Sequence, residues 1–224
     1  MTFFNSVANE YDQWYTTPMG SLVDRVETDL AMKLFPLQPG MQVLDAGCGT
    51  GNFSLKLAQQ GVAVTGIDVS TEMLAFAREK AKVADFEIPF VEMDMYQLDY
   101  SDQTFDGVFS MAAFEFIREP ERALKELFRV LKPGGFLLVG TINRESAWGE
   151  LYTSPDFQKN TVFKHASFKS LDDMKAWEPN QLVKTGSCLF LPPDTPDDQW
   201  TLEQEDQFRQ HNRGGFICAL WQKR

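Results

Sequence analysis

Val43-Leu44-Asp45-Ala46-Gly47-Cys48-Gly49-Thr50-Gly51-Asn52 decides how this chain folds. An apolar run ends in an acid, passes into a loop with glycine at three alternate positions, and then opens a helix expected over Asn52 to Gln60. Strand, glycine loop and helix in that order bring backbone N–H groups and a helix N-terminus close to a ligand, as in doubly wound α/β sheets. A second apolar run ends in Thr65-Gly66-Ile67-Asp68. A carboxylate at that strand end accepts two hydrogen bonds side by side, which suits the paired hydroxyls of a ribose. The loop and Asp68 together point to a nucleoside cofactor.

Two common nucleotide fingerprints do not fit. The dinucleotide pattern G-x-G-x-x-G would put its third glycine on Asn52 or Ser54, and a P-loop needs a lysine where the first one, Lys56, lies well inside the helix. The spacing Asp45-x-Gly47-x-Gly49-x-Gly51 instead resembles motif I of the class I S-adenosylmethionine-dependent methyltransferases. Four further stretches extend the resemblance in the right order: Gly66-Ile67-Asp68-Val69-Ser70, Met93-Asp94-Met95, Phe105-Asp106-Gly107-Val108-Phe109-Ser110, and Arg129-Val130-Leu131-Lys132-Pro133-Gly134-Gly135. They cover roughly residues 40 to 142.

The resemblance implies S-adenosylmethionine as cofactor, with S-adenosylhomocysteine as product. It implies that the Gly47, Cys48, Gly49 and Gly51 backbone meets the methionine and ribose parts, and that Asp45 reaches the amino-acid end. Asp68 takes the ribose hydroxyls, Met73 lies on the adenine face, Val69 belongs to the same cofactor set, and Asp94 with the Met95 N–H reads the adenine edge. Ser110 completes the cofactor set. Tyr11-Asp12-Gln13-Trp14-Tyr15 resembles the amino-terminal segment of ubiquinone/menaquinone-biosynthesis-like (type 11) methyltransferases, which folds over the cofactor; the faces of Tyr11 and Tyr15 would suit a sulfonium. Two rivals, a nicotinamide-nucleotide oxidoreductase and a non-catalytic cofactor-binding protein, are opposed by the missing third glycine and by the intact Asp45, Gly47, Gly49, Gly51 and Asp68.

Strands and helices alternate along the core, as an α/β sheet requires. Strands are expected at Met41 to Asp45, Val62 to Asp68, Phe90 to Met93, Phe105 to Ser110 and Phe136 to Thr141, with two more over Leu182 to Leu191 and Phe216 to Trp221. Helices are expected before Pro36, over Thr71 to Lys82, and from Pro120 through Leu131. The expected architecture is one domain over 1–224: an N-terminal cap segment (1–36), a cofactor core (40–142), a substrate cap (143–180) and C-terminal strands (181–224). The resemblance makes the sheet Rossmann-like, seven-stranded and mostly parallel, with an antiparallel last strand inserted between the fifth and sixth.

Net charge is −11, from 21 basic and 32 acidic residues, with no lysine-arginine cluster, so a nucleic-acid substrate is disfavoured. Hydrophobic content of 43% supplies a core, no apolar run reaches membrane-spanning length, and three scattered cysteines with two histidines suggest a reducing cytoplasm and no metal site. The acceptor reads as a small, partly apolar molecule. Glu115, in Phe114-Glu115-Phe116 just beyond the fourth strand, is the candidate base, since a glutamate among aromatics can have a raised pKa. Trp148 and Tyr152, in the aromatic stretch 148–163, are candidates for the substrate pocket. That stretch and residues 1–20 carry enough apolar surface to close over the site.

Overall fold

Parallel-sheet strands are buried on both faces, and the apolar runs of this chain take that position. The computed structural model describes residue 4 and residues 12–159 and 161–224. Seven strands, β1 (Gln42–Ala46), β2 (Ala63–Asp68), β3 (Phe90–Glu92), β4 (Phe105–Met111), β5 (Leu131–Ile142), β6 (Leu182–Cys188) and β7 (Phe216–Gln222), form one sheet in the order β3-β2-β1-β4-β5-β7-β6. β1, β2, β3, β4 and β5 pair in parallel, whereas β7 runs antiparallel to both β5 and β6. The expected sheet, with its antiparallel strand between the fifth and sixth, is the one observed.

Period-two alternation divides the core between the two faces. Val43, Val64, Phe109 and Leu138 pack in one buried cluster with α1 (Pro18–Leu34) and α2 (Asn52–Ala58), through Val23, Val26, Ala31 and Leu57. Leu44, Ile67, Val108, Leu137 and Val139 pack in the other, under α4 (Pro120–Val130) and α7 (Leu171–Trp177). Leu124, Leu127 and Phe128 of α4, with Leu131 just past its end, recur at i, i+3, i+4 and i+7 and are buried; truncating Leu127 to alanine would cost about 2–5 kcal/mol. α3 (Thr71–Val83) lays Leu74, Ala77 and Ala81 against Phe90 of β3.

Helix starts follow their caps. The Thr17 hydroxyl accepts from Gly20 N ahead of Pro18, and the Ser70 hydroxyl accepts from Met73 N. Residues 143–180, expected as a cap, form α5 (Ala147–Thr153), α6 (Pro155–Gln158) and α7, each opened by a serine: Ser146, Ser154 and Ser170.

Three boundaries differ from expectation by two residues or more, each for a local reason. The helix after the glycine loop stops at Ala58, because Gly61, at φ +79°, donates its N–H back to Ala58 O and turns the chain. β5 begins at Leu131, and its register against β4 jumps from Phe105↔Leu131 to Gly107↔Phe136 across the Lys-Pro-Gly-Gly turn. Lys223 fixes that turn: its Nζ donates to Phe128 O and Leu131 O, both at 2.6 Å, while its carbonyl accepts from Gly134 N at 2.7 Å. The strand expected to reach Leu191 ends at Cys188, where Leu189 takes φ +63°. The connection Pro192 to Gly215 also holds α8 (Leu202–Phe208), whose buried Glu205 accepts from Phe190 N (2.7 Å) and Leu191 N (3.0 Å).

Candidate functional site

Strand order reverses at β1, with β2 on one side and β4 on the other. A crevice opens at such a point beyond the carboxyl ends of the strands, and ligands bind there. The loop after β1 fills one wall. Gly47, Gly49 and Gly51 all have positive φ (+76°, +54° and +79°), which explains glycine at each alternate position. Gly47 N and Cys48 N both donate to Ile67 O, at 2.8 and 2.9 Å, pinning the loop to the end of β2. A Cβ on Gly47 would lie 2.6 Å from Ala113 Cβ, and one on Gly51 3.0 Å from Ala77 Cβ, whereas one on Gly49 would meet no protein atom within 4 Å. Gly49 therefore presents bare backbone to open space.

Asp68 closes the loop from the next strand. Its Oδ2 accepts from Gly49 N and its Oδ1 from Ser70 N, both at 2.9 Å. Each carboxylate oxygen has two lone-pair directions, so one on each remains for a ligand. Burial raises the Asp68 pKa above the usual carboxylate range, partly offset by these N–H bonds.

A cleft beside the loop is lined by Tyr15, residues 47–50, Asp68, Val69 and Met73, with Asp94, Met95, Tyr96, Ala112 and Phe116. Seven of the expected cofactor residues thus share one wall system: Tyr15, Gly47, Cys48, Gly49, Asp68, Val69 and Met73. Asp94 and Met95 line the same cleft. The Asp94 Oδ1 accepts from Tyr96 N at 2.9 Å, which sets the carboxylate at the rim. Burial, then the charges of Asp45 and Asp68, push the Cys48 thiol up, so it is no nucleophile.

Four expected residues lie elsewhere, and Tyr11 lies outside the described residues. Gly51 is a packing glycine under α3 and Phe90. The Ser110 hydroxyl donates to Ala46 O at 2.7 Å, tying β4 to β1 within the sheet. Asp45 is 1% exposed and accepts from Ser54 Oγ at 2.6 Å, so it anchors α2 rather than lining the cleft. Glu115 is likewise 1% exposed and lines neither the cleft nor the aromatic chamber next to it; its Oε1 accepts from Ile142 N at 2.8 Å, while Oε2 has no hydrogen-bond partner among the described residues. Burial raises its pKa as the aromatic neighbours suggested, but the carboxylate serves a backbone contact between loop and sheet.

Asp45 carries a pH dependence that can be measured. Burial, reinforced by Asp68 and opposed by the Ser54 bond, raises its pKa from 3.8 to about 7. Folding therefore favours the protonated form, and the associated stability is full below the unfolded pKa and lost as pH rises through 7. Asp45→Asn, which keeps an acceptor for Ser54, is expected to stabilise the unliganded protein at pH 8 by up to about 4 kcal/mol, the gap narrowing toward pH 5. Melting curves of both proteins across that range check it; a gap independent of pH would refute the shift.

Sequence reasoning missed one constellation and foresaw only part of a second. In the first, Lys80 Nζ spends its three donors on Asp12 Oδ2 (2.8 Å), Thr50 Oγ1 (2.9 Å) and Asn52 Oδ1 (2.5 Å), while Thr50 Oγ1 donates to Asp12 Oδ1 at 2.8 Å. This clamp fastens the segment carrying Tyr15 to the far end of the glycine loop. In the second, a chamber of about 270 Å³ adjoins the cleft and shares Tyr15 and Ala112 with it. Its other walls are Trp14, Trp148, Tyr152, Phe157, Phe163 and Phe216, joined by smaller side chains and by Glu27 of α1. Trp148 and Tyr152, expected at a substrate pocket, both line it. Trp148 is held there by a hydrogen bond from Nε1 to Leu191 O (2.8 Å), and Tyr152 stands 4.4 Å from Phe163, centroid to centroid. Ala112 has φ +52°, a costly conformation for a residue with a Cβ, at the boundary between the two spaces. Glu27 had a readable signal: it occupies a core position in Val23, Val26, Glu27, Leu30.

Comparison with known proteins agrees with this geometry. Residues 44–139 match the methyltransferase domain family. The chain is 37% identical over 139 residues to the malonyl-[acyl-carrier protein] O-methyltransferase of Pectobacterium atrosepticum, covering 62% of this chain and 51% of that protein. It is 47% identical over 103 residues to the phosphatidylethanolamine N-methyltransferase of Cereibacter sphaeroides, covering 45% and 50%. The chain thus spans about half the length of these curated relatives. A Haloferax volcanii methyltransferase, solved with the Trm112 activator, superposes with a TM-score of 0.73 at 22% identity, covering 99% of this chain and 98% of that one, which shows a shared fold. By the sheet, the glycine loop with Asp68, and this match, residues 44–139 form a methyltransferase domain of the class I S-adenosylmethionine-dependent kind.

Proposed function

We propose that the protein transfers a methyl group from S-adenosylmethionine to a small-molecule acceptor seated in the aromatic chamber. The observation that carries this reading is the adjacency of the two spaces: the glycine-loop cleft and the chamber meet at Tyr15 and Ala112. The residues present fit the cofactor. Asp68 offers a free lone-pair direction on each oxygen for the ribose, bare backbone at Gly49 allows close approach, and Val69, Met73, Asp94 and Met95 flank an adenine-sized wall.

S-adenosylmethionine supplies an activated methyl group on a sulfonium. The chain is left with alignment, exclusion of water and, where the acceptor needs it, removal of a proton. Tyr15, held by the clamp through Asp12 and Lys80, and Ala112, held by its strained backbone, set the passage between the spaces. Trp148, Tyr152 and Phe163 keep the chamber apolar. Among the described residues no helix is long and apolar enough to cross a membrane, and the three cysteines are free, as in an enzyme of the cytoplasm.

Calorimetric titration with S-adenosylhomocysteine and with NADH tests the reading. Saturable binding of the first alone is expected, and labelled S-adenosylmethionine should pass its methyl group to small-molecule extracts. Binding of NADH in preference to S-adenosylhomocysteine would overturn it. One relative is named for oxygen methylation and another for nitrogen.

A further inference from the structure

The chamber holds one side chain that its surroundings do not satisfy. Glu27 lies on α1 among Val23, Val26 and Leu30, is 8% exposed, and lines the chamber. No described residue donates a hydrogen bond to its carboxylate, and no basic residue lines the space. Polar groups so deeply buried are normally paired, because stripping water from a carboxylate without replacement costs several kcal/mol. Burial accordingly raises the Glu27 pKa, with the nearby acids Glu115 and Asp24 adding to the effect and Lys56 opposing it. A helix position that packing alone would give to leucine or valine is occupied by an unpaired acid.

The rest of the wall narrows what can pair with it. Trp14, Tyr15, Trp148, Tyr152, Phe157 and Phe163 present aromatic rings, whose faces carry negative potential and attract cations. The one indole N–H of Trp148 is spent on Leu191 O. A negatively charged ligand would meet a like-charged acid and aromatic faces. An alcohol would gain one hydrogen bond and nothing from the rings. An ammonium gains the carboxylate and the ring faces together.

Resting on the methyltransferase reading, we infer that the acceptor is an amine, bound by Glu27 through its ammonium group with the aromatic rings around its apolar part. Glu27 is the group that selects a nitrogen acceptor. Because a methyl group can be received only by a nitrogen lone pair, the ammonium must first lose a proton. The Glu27 carboxylate accepts it, leaving a neutral amine and a neutral carboxylic acid, with charge and atoms balanced.

The test separates the cofactor from the acceptor. Wild type and Glu27→Gln are first titrated with S-adenosylhomocysteine; equal affinity is expected, since Glu27 does not line the cofactor cleft. The S-adenosylhomocysteine-loaded proteins are then titrated with 2-phenylethylamine, 2-phenylethanol and phenylacetate, alike in size and differing in the polar end, and with a series of shorter and longer alkyl and aryl amines. At least one amine should bind wild type tenfold or more tightly than its alcohol and acid counterparts. Glu27→Gln, which keeps shape and removes the charge, should abolish that preference. Failure to bind S-adenosylhomocysteine would sink the methyltransferase reading and this inference with it. Normal S-adenosylhomocysteine binding with no amine preference, with tighter binding of alcohol or acid, or with a preference retained in Glu27→Gln would overturn the amine assignment alone. The wild-type comparison decides the matter even if the variant proves unstable.

Discussion

Asp68→Ala should bind S-adenosylhomocysteine at least about a hundredfold more weakly than wild type, the largest loss expected from any single truncation in the cleft. Two charge-assisted bonds to the ribose would disappear, at about 1.5–3 kcal/mol each, and two hydroxyls would be left without their carboxylate partners. The same carboxylate holds Gly49 N and Ser70 N, so its removal also releases the loop that meets the ligand. Asp94→Ala should cost less, because the adenine keeps Met73 and the other walls of its face. Calorimetry on both variants gives the order, and wild-type affinity in Asp68→Ala would remove the basis for the ribose assignment. Affinity should also fall as pH drops through the raised Asp68 pKa, since only the ionised group accepts with both oxygens.

Gly49→Val is expected to bind no measurable S-adenosylhomocysteine while remaining folded. The residue has φ +54°, which costs a residue with a Cβ about 1–2 kcal/mol and a β-branched one more. That strain is tolerable to a stable fold. The added side chain, however, would project into space free of protein atoms within 4 Å, the space assigned to the cofactor. Gly51→Val provides the contrast: its side chain would press on Ala77 and Phe90, so it should lower the melting temperature directly. Circular dichroism, melting and titration of the pair separate the two roles, and full cofactor affinity in Gly49→Val would reduce the loop to a turn.

Strand and loop were legible because each has a local physical cause. Double-sided burial writes continuous apolar runs, and left-handed backbone writes glycine, so Val43 to Asn52 announces both at once. Function at a distance is written differently. Lys80 meets Asp12 across 68 positions and Thr50 across 30, and nothing in the spacing of three polar residues says that they converge. Glu115 illustrates the opposite error: flanking aromatics gave the raised pKa correctly but not the direction of the side chain, which the Ile142 N–H determines. Glu27 was visible as an acid in a helical apolar stripe. Its meaning depends on Trp148, Tyr152 and Phe163, brought opposite it only by tertiary packing.

The placement of β7 between β5 and β6 has a consequence for how the protein is made. A ribosome delivers β6 before β7, yet among the described residues β6 pairs with no strand except β7. From the emergence of Leu182 until that of Phe216, the nascent chain carries an unpaired β6 and a β5 whose outer edge is open, the kind of edge on which other chains add. The first five strands can pair as they appear, since each joins a strand already made. The chamber cannot be completed at that stage, because Gly215 and Phe216 are part of its wall. Synthesis thus divides the molecule in time: a half with the glycine-loop cleft that can form early, and a half with the aromatic chamber that waits for the arrival of one strand.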